Sequence, residues 1–429
     1  MGFELLRREV IDKNLCCRCG SCAGICPRGN IVFTDTRGAC LPQGSGNCPE
    51  TCDLCGKVCP GGHFDLSPLR QISGLSFATG IGACLNISLL KAADKTLREM
   101  STSGGAVTAL LIAFLEKGLI DGVISIGPDP ESPTGSAAKI LSSAEEIKAH
   151  TQSRYCVCPL NQLMPKLEAG KKYALVGLPC MVDGLRNMME VRESLRGQVV
   201  ITLGLFCHST MFYSATEKLL ELYRPPVARS SVKNIRYREG KFPGGFAAHD
   251  GKGGATEIIP LPDYMQLFNR HSLNRCRLCI DHYSAFSDLA FADPFPFLDE
   301  LAENDQKWTV AIVRTAAGQK FVNEVLGNDD HVVSKKVTER NIARLNDKLR
   351  AIQSVHLKQV AMTKQIGLPA PGYNIPLPRS TLPRAVVNLF RVYLFGNIML
   401  SCRQMLLKVC TLNQAGAAHT KLTKRYKSF

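Results

Sequence analysis

Two groups of four cysteines, each closed by proline, and behind them an alternation of strand-like and helix-like segments, predict an α/β (α+β) domain preceded by a small ferredoxin-like iron–sulfur domain. Cys16, Cys19, Cys22 and Cys26 precede Pro27, and Cys48, Cys52, Cys55 and Cys59 precede Pro60. A C-x2-C-x2-C-x3-C-P run wraps three thiolates around one cubane and sends its fourth to a neighbouring one, so two runs imply two 4Fe–4S clusters. The first run has the bacterial ferredoxin spacing throughout. The second carries three residues instead of two between Cys48 and Cys52. Zinc also accepts four thiolates, but the C-x3-C-P ending in both halves favours iron. Cys17 is a thiol in excess and an alternative to Cys16, and Cys40 has no assigned partner.

Residues 1–66 form the cysteine module, rich in Cys, Gly and Pro. Pro68, Gly74 and Gly80 mark a linker, and a second domain, bounded at 80–345, starts near Gly82. Its apolar pattern alternates: a helix over 106–117, a strand over 122–126, a helix from about 144, a strand over 173–177, a helix after Cys180 and a strand over 199–206. Strands return over 289–292 and 309–314. Such alternation predicts α/β architecture with a largely parallel sheet. Between 236 and 252 the chain turns Gly-rich and aromatic, around Phe242-Pro243-Gly244-Gly245-Phe246, and reads as a loop or short hairpin.

The chain has 429 residues, 45% of them hydrophobic and 21% charged, which is ordinary for a globular protein of two or three domains. Its 19 cysteines would suggest disulfides in a small exported chain, but the opening Met1-Gly2-Phe3-Glu4-Leu5-Leu6 has no apolar signal core, so a reducing cytoplasm is expected. The longest apolar run, 107–115, is far short of the roughly 20 residues of a membrane span. The formal charge of +15 falls outside the balanced module. Within the final unit, 380–429, the stretch 382–410 is apolar with Arg391, Arg403 and Lys408 at scattered angles, and reads as a docked terminal helix. Lys421, Lys424, Arg425 and Lys427 then form a basic end. It is either solvated or in contact with an anionic membrane surface or an acidic partner. No nucleic-acid reading motif accompanies the charge, so nucleic acid is not an expected partner.

Ser101-Thr102-Ser103-Gly104-Gly105 opens a helical pattern, an arrangement that suits a phosphate and equally a plain N-cap. No G-x-G-x-x-G occurs. Cys180, Cys207, Cys276 and Cys279 stand at the edges of predicted elements, where four thiols either hold a third cluster or lie buried and free. Cys156 and Cys158 are possible additional ligands, and Cys84, Cys402 and Cys410 read as core or interface residues. His208 and His282 lie beside the candidate thiols and read as structural.

Several segments in order resemble the family of coenzyme F-420 hydrogenase/dehydrogenase beta subunits. They are Ser101-Thr102-Ser103-Gly104-Gly105, Gly118-Leu119-Ile120-Asp121-Gly122-Val123, Ser153-Arg154-Tyr155, Gly177-Leu178-Pro179-Cys180, Leu205-Phe206-Cys207, Arg275-Cys276-Arg277-Leu278-Cys279-Ile280-Asp281 and Val310-Ala311-Ile312-Val313-Arg314-Thr315. The resemblance spans about 80–320. It implies an oxidoreductase that binds FAD, with the Ser101 to Gly105 loop at the flavin phosphates and Ser153 and Tyr155 near the flavin. It also implies a third 4Fe–4S cluster on Cys180, Cys207, Cys276 and Cys279, hydride exchange with coenzyme F-420, and delivery of electrons to a ferredoxin or partner subunit. Two alternatives are a ferredoxin-driven reductase of another organic substrate and a non-catalytic electron-transfer subunit. The chain departs from the family pattern at Arg154, where lysine is usual, and at Ser287-Asp288 and Ala292-Asp293-Pro294, where a glycine is replaced. These departures bear on the substrate that docks there.

Overall fold

In a computed structural model of the chain, the described residues are 2–35, 37–44, 48–49, 51–64, 82, 84–326, 330–365, 367–374 and 377–378. The expected linker around Pro68, Gly74 and Gly80, the apolar stretch 382–410, the basic end, Cys402 and Cys410 all lie outside them.

The strands of the main sheet are β1 (Asn86–Ala92), β2 (Gly122–Asp129), β3 (Ser132–Leu141), β4 (Tyr173–Gly177), β5 (Val199–Leu205), β6 (Leu289–Ala292), β7 (Thr309–Val313) and β8 (Val332–Lys336). Their order across the sheet is β8-β1-β7-β6-β5-β4-β2-β3. β4 and β7 are buried at every position, as apolar strands covered on both faces must be. β8, Val-Val-Ser-Lys-Lys, is mostly exposed, and its lysines suit an edge that must not pair further.

The sheet is mixed, which corrects the expectation of a largely parallel one. Only β2, β4, β5 and β6 run parallel to one another; β3 and the β7, β1, β8 flank pair antiparallel. Parallel neighbours need a crossover of a dozen residues or more, usually a helix. β2 and β3 are joined by a tight turn, and between β6 and β7 stands only the 3-10 turn Phe295–Glu300. Neither connection can carry the chain back across the sheet. The stretch after Arg236 forms an antiparallel pair, Asn234–Glu239 with Gly245–His249, outside the main sheet.

Four helices position the site: α1 (Ser21–Ile25), α2 (Ala106–Glu116), α3 (Pro179–Val191) and α4 (Glu339–Gln365). α2 is apolar almost all round and buries Ala106, Ala109, Leu110, Leu111, Ile112, Ala113 and Phe114 in one core with Leu90, Val123, Ala174, Ile201 and Leu289 of the sheet. It ends at Gly118, whose φ of +66° lets the Leu119 N–H return to the Phe114 carbonyl at 2.9 Å, a closure that glycine permits without strain. α4 buries a narrow stripe including Leu345, Leu349, Gln353 and Val360. From that stripe Gln353 Nε2 donates to the Tyr283 hydroxyl at 3.0 Å.

The cysteine module and the α/β body form one compact unit through Pro378. Asn161 stitches them together. Its N–H donates to the Cys19 carbonyl at 2.9 Å, and its Nδ2 donates to Ser21 Oγ at 2.9 Å and to the Met181 carbonyl at 2.8 Å. Helix α1 meets α3 and the 3-10 segment Leu160–Lys166 at glycines: a Cβ on Gly184 of α3 would lie 2.1 Å from Ser21 Oγ, and one on Gly24 of α1 would lie 2.0 Å from the Asn161 carbonyl oxygen. A second tie comes from far along the chain, where Gly372 and Tyr373 pair in parallel with His63 and Phe64. No helix among the described residues is long and apolar enough to cross a membrane.

Candidate functional site

The eight module cysteines fall into two sets that cross between the runs. Cys26, from the first run, lines a cavity with Cys48, Cys52 and Cys55, walled by Phe3, Ile31 and Leu54. Cys59, from the second run, lies with the remaining three. Burial, and then the neighbouring Cys19 and Cys16 thiols, hold Cys59 well above its ordinary value; burial, then Cys16, Cys19 and Cys59, do the same to Cys22. Cys19 is pushed up to about 12, chiefly by burial. Ser21 Oγ lies 3.3 Å from Cys19 Sγ, and the Gly61 N–H donates to Cys59 Sγ at 3.4 Å. Thiols packed this way resist ionising alone, and a cationic group in their midst relieves that cost by taking them as thiolates. No group of three or more His, Cys, Asp or Glu side chains among the described residues is set to hold a single metal ion. Cys26, Cys48, Cys52 and Cys55 ring a space, as a polynuclear cluster requires.

A third thiol site, the third cavity, lies between the module and the sheet. Cys17, Cys180, Cys207, Cys276 and Cys279 all line it. Cys180 enters at the first turn of α3, behind Pro179 at its start, and Cys207 follows the end of β5. Cys276 and Cys279 flank one end of the 3-10 turn Asn274–Leu278, with the Cys279 N–H donating to the Cys276 carbonyl at 3.1 Å. The four thiols named from sequence therefore share one wall-to-wall space. Burial, and then Cys276 and Cys279, raise Cys207; burial raises Cys279 to about 12.

Three residues of this cavity were not assigned to it by sequence reasoning. Cys17 lines the cavity with Cys180, and the interaction of the two thiols lowers Cys17 and raises Cys180. Asp183 is 6% exposed and its Oδ1 has no partner; burial pushes its carboxyl well above the carboxylate range. Its place three residues after Cys180 puts both on one face of α3, a signal the sequence did carry. Arg275 is 4% exposed. It donates to the Gly61 and Pro60 carbonyls at 3.0 and 3.2 Å, and its Nη1 has no partner. The two histidines read as structural lie here: His208 lines the cavity, and His282 Nδ1 donates to the Cys207 carbonyl at 2.9 Å.

The serine–glycine loop sits at the other end of the site, before α2. Ser101 Oγ donates to the Leu97 carbonyl at 2.7 Å, Ser103 Oγ to the Trp308 carbonyl at 2.5 Å, and the Gly104 N–H to Thr309 Oγ1 at 3.0 Å. Those donors are committed to the fold. A Cβ on Gly104 would lie 2.8 Å from the Leu90 carbonyl oxygen, so the loop presses directly on β1. Gly105 caps α2 at a φ of +72°. Thr102 Oγ1 accepts from the Ser153 N–H at 3.0 Å, which joins the loop to the Ser153-Arg154-Tyr155 segment. There Arg238 Nη1 donates to the Tyr155 hydroxyl at 3.2 Å and to Asp293 Oδ2 at 3.0 Å. The Nε and Nη1 of Arg154 and the Nη2 of Arg238 are buried without partners. Guanidinium donors left open in this way fit an anionic group. Asp288, the other acidic position singled out from sequence, is structural: it accepts from the Thr202 N–H and Oγ1, from Arg186 and from Thr315.

Comparison with known proteins bears on the whole arrangement. The family models for the coenzyme F-420 hydrogenase/dehydrogenase beta subunit match residues 89–165 with the N-terminal part and 170–339 with the C-terminal part. A subunit of the F(420)H(2) dehydrogenase of Methanosarcina mazei is 23% identical over 366 residues, 82% of this chain and 94% of that protein. The beta subunit of a coenzyme F-420 hydrogenase of Methanococcus voltae is 24% identical over 294 residues, 66% of this chain and 95% of its own. The coenzyme F-420-dependent sulfite reductase of Methanocaldococcus jannaschii is 26% identical over 75% of this chain, which spans 48% of that longer protein. In three dimensions a chain of the F-420-reducing NiFe hydrogenase complex from Methanosarcina barkeri superposes with a TM-score of 0.54 at 19% identity, over 70% of this chain and 98% of that one.

Proposed function

Because the chain belongs to the family of coenzyme F-420 hydrogenase/dehydrogenase beta subunits and is an oxidoreductase, we propose that it moves electrons between coenzyme F-420 and a ferredoxin or partner subunit by way of FAD and three 4Fe–4S clusters. The single observation carrying this reading is the third cavity, in which the thiols of Cys180, Cys207, Cys276 and Cys279, taken from three separated points of the α/β body, share a space with the module's Cys17. Cys16, Cys19, Cys22 and Cys59 would hold one cluster, Cys26, Cys48, Cys52 and Cys55 a second, and the third cavity the last. A bound flavin supplies the step between two-electron hydride exchange and one-electron transfer.

The chain's own residues bind and orient. The open donors of Arg154 and Arg238 would take the flavin's phosphates at the start of α2, where the helix dipole also favours negative charge. Tyr155 is held against this site by Arg238. Arg275 brings a fixed positive charge to the third cavity, where it offsets thiolate charge and raises the potential of whatever the thiols hold. Cys16 would serve the first of these sets while its neighbour Cys17 lines the third cavity, so consecutive residues, with Cα atoms about 3.8 Å apart, join the two sites. The reading favours the cytoplasm, where the thiols stay reduced.

Anaerobic purification followed by iron, sulfide and flavin analysis tests it. We expect about twelve irons per chain, from three cubanes, one FAD, and bleaching of F-420 on mixing in a stopped-flow spectrometer. About eight irons with no flavin would overturn it.

A further inference from the structure

Between its residues 340 and 358, helix α4 carries five basic side chains, Arg340, Arg344, Lys348, Arg350 and Lys358, against one acid, Asp347. Arg340, Arg344, Lys348, Ala351, Val355 and Lys358 follow one another at steps of three and four residues, so they share one face, and all six are exposed. Arg344 is tied to Asp299 at 2.6 Å, whereas Arg340, Lys348 and Lys358 form no ion pair among the described residues. Val355, 54% exposed, gives this charged face an apolar centre, the plan of a protein interface with a polar rim. The other side of the same helix reaches the third cavity. His356 Nδ1 donates to the Arg277 carbonyl at 3.0 Å, and its ring lies 4.4 Å from that of His282, which stacks at 5.8 Å on His208 of the cavity wall. A helix is about 10–12 Å across, so a protein seated on the outer face has the thickness of α4 and these three rings between itself and the third thiol site.

We propose that the outer face of α4 is the docking surface for a small acidic protein that carries a one-electron centre, a carrier of ferredoxin type, and that it opens a route to the third cluster that bypasses the module. The proposal rests on the three-cluster reading above and adds where the carrier docks and which cluster it meets. Basic side chains with no internal partner attract an acidic protein and speed its encounter, an effect that salt suppresses. Once the carrier is docked, one electron passes between its centre and the third cluster, one being oxidised as the other is reduced, and no bond is made or broken.

The test uses full-length holoprotein and a fluorescently labelled, acidic bacterial-type ferredoxin, whose binding is followed by anisotropy at low and at high salt. Arg340→Glu combined with Lys348→Glu and Lys358→Glu should weaken binding by about tenfold or more, as three charges of the strength of exposed pairs allow, and should flatten its salt dependence. Arg8→Glu combined with Lys13→Glu, on the module, should change binding by less than about twofold. Equal affinity of the α4 variant and the parent overturns the docking site. So does a loss confined to the module variant, or α4 charges that serve binding of phosphatidylserine vesicles and not of ferredoxin. A second measurement needs no variant: carbodiimide coupling of the untouched protein with ferredoxin should join carboxylates to Lys348 and Lys358, and coupling confined to Lys13 and Lys57 overturns the proposal. The iron count keeps the two readings apart. About twelve irons with ferredoxin docked on the module sinks the α4 site alone, and about eight with no flavin sinks the three-cluster reading wherever ferredoxin binds.

Discussion

Arg238 Nη1 lies 3.0 Å from Asp293 Oδ2, with the arginine side chain 4% exposed and the aspartate 25% exposed. The same nitrogen donates to the Tyr155 hydroxyl, so the acid fixes the base that fixes the tyrosine. Removing one partner of such a pair strands a buried charge. Asp293→Asn should therefore lower stability by about 3 kcal/mol, the low end for a buried pair because the aspartate is partly wet. Urea unfolding of variant and parent checks this. A shift under about 0.5 kcal/mol, the size of an ordinary surface pair, would show that the carboxylate does not hold Arg238.

The contact of α1 with α3 is tight enough to fail on one methyl group. Gly184→Ala places its Cβ against Ser21 Oγ, and overpacking of this kind costs about 1–3 kcal/mol. We expect a lower urea midpoint and faster iron loss to a chelator, with part of both recovered by adding Ser21→Gly. A midpoint equal to the parent's would mean that the module does not rest on α3 at that point.

Burial, and then the charges of Lys139 and Arg154, depress His150 from its ordinary value to about 4. Its ring lies against Gly127 of β2, and its Nδ1 has no partner. Folded protein keeps this imidazole neutral where the unfolded chain takes up a proton, so the unfolded state binds more protons between pH 6.5 and about 4 and stability falls as pH drops through that window. His282, pushed down to about 4 by burial, acts in the same direction. His150→Gln should flatten part of the slope of unfolding free energy against pH. An unchanged slope would assign the dependence elsewhere.

Cys26 shares its cavity with the second run, so Cys26→Ser should damage the site of Cys48, Cys52 and Cys55 and spare that of Cys16, Cys19 and Cys22. Iron content should fall by about four or fewer, with one EPR signal changed. Perturbation of the first run's signal instead would place Cys26 in the other set.

How far the sequence reads depends on the range of the forces involved. β4 and β6 are legible to the residue, because each is a short buried run of Tyr-Ala-Leu-Val-Gly or Leu-Ala-Phe-Ala type with turn residues after it. β3 is not. Ser132–Leu141 is rich in small and polar residues and is a strand because β2 pairs with it, a tertiary effect that overrides propensity. α4 hides for a related reason: over 27 residues only a thin stripe is apolar, and the core it covers comes from elsewhere in the chain. At the site, spacing speaks to thiols within one run and is silent about Cys17 and Cys180, which meet only once α1 has docked on α3. The Arg238, Tyr155 and Asp293 contact is equally invisible in one dimension, since its members come from three separated segments.

The ladder between His63–Phe64 and Gly372–Tyr373 also sets a timetable. Tyr373 closes one side of the third cavity and anchors there through its hydroxyl on the Leu278 carbonyl. At about 5–20 residues per second of synthesis, the ribosome needs roughly 15 to 60 s to travel from the first of these strands to the second. In the last part of that interval, once Cys279 has been made, all the cavity's thiols exist without their last wall. Iron delivery to this compartment must follow near-complete translation, and the nascent chain depends on its surroundings to keep those sulfurs from oxidising while it waits.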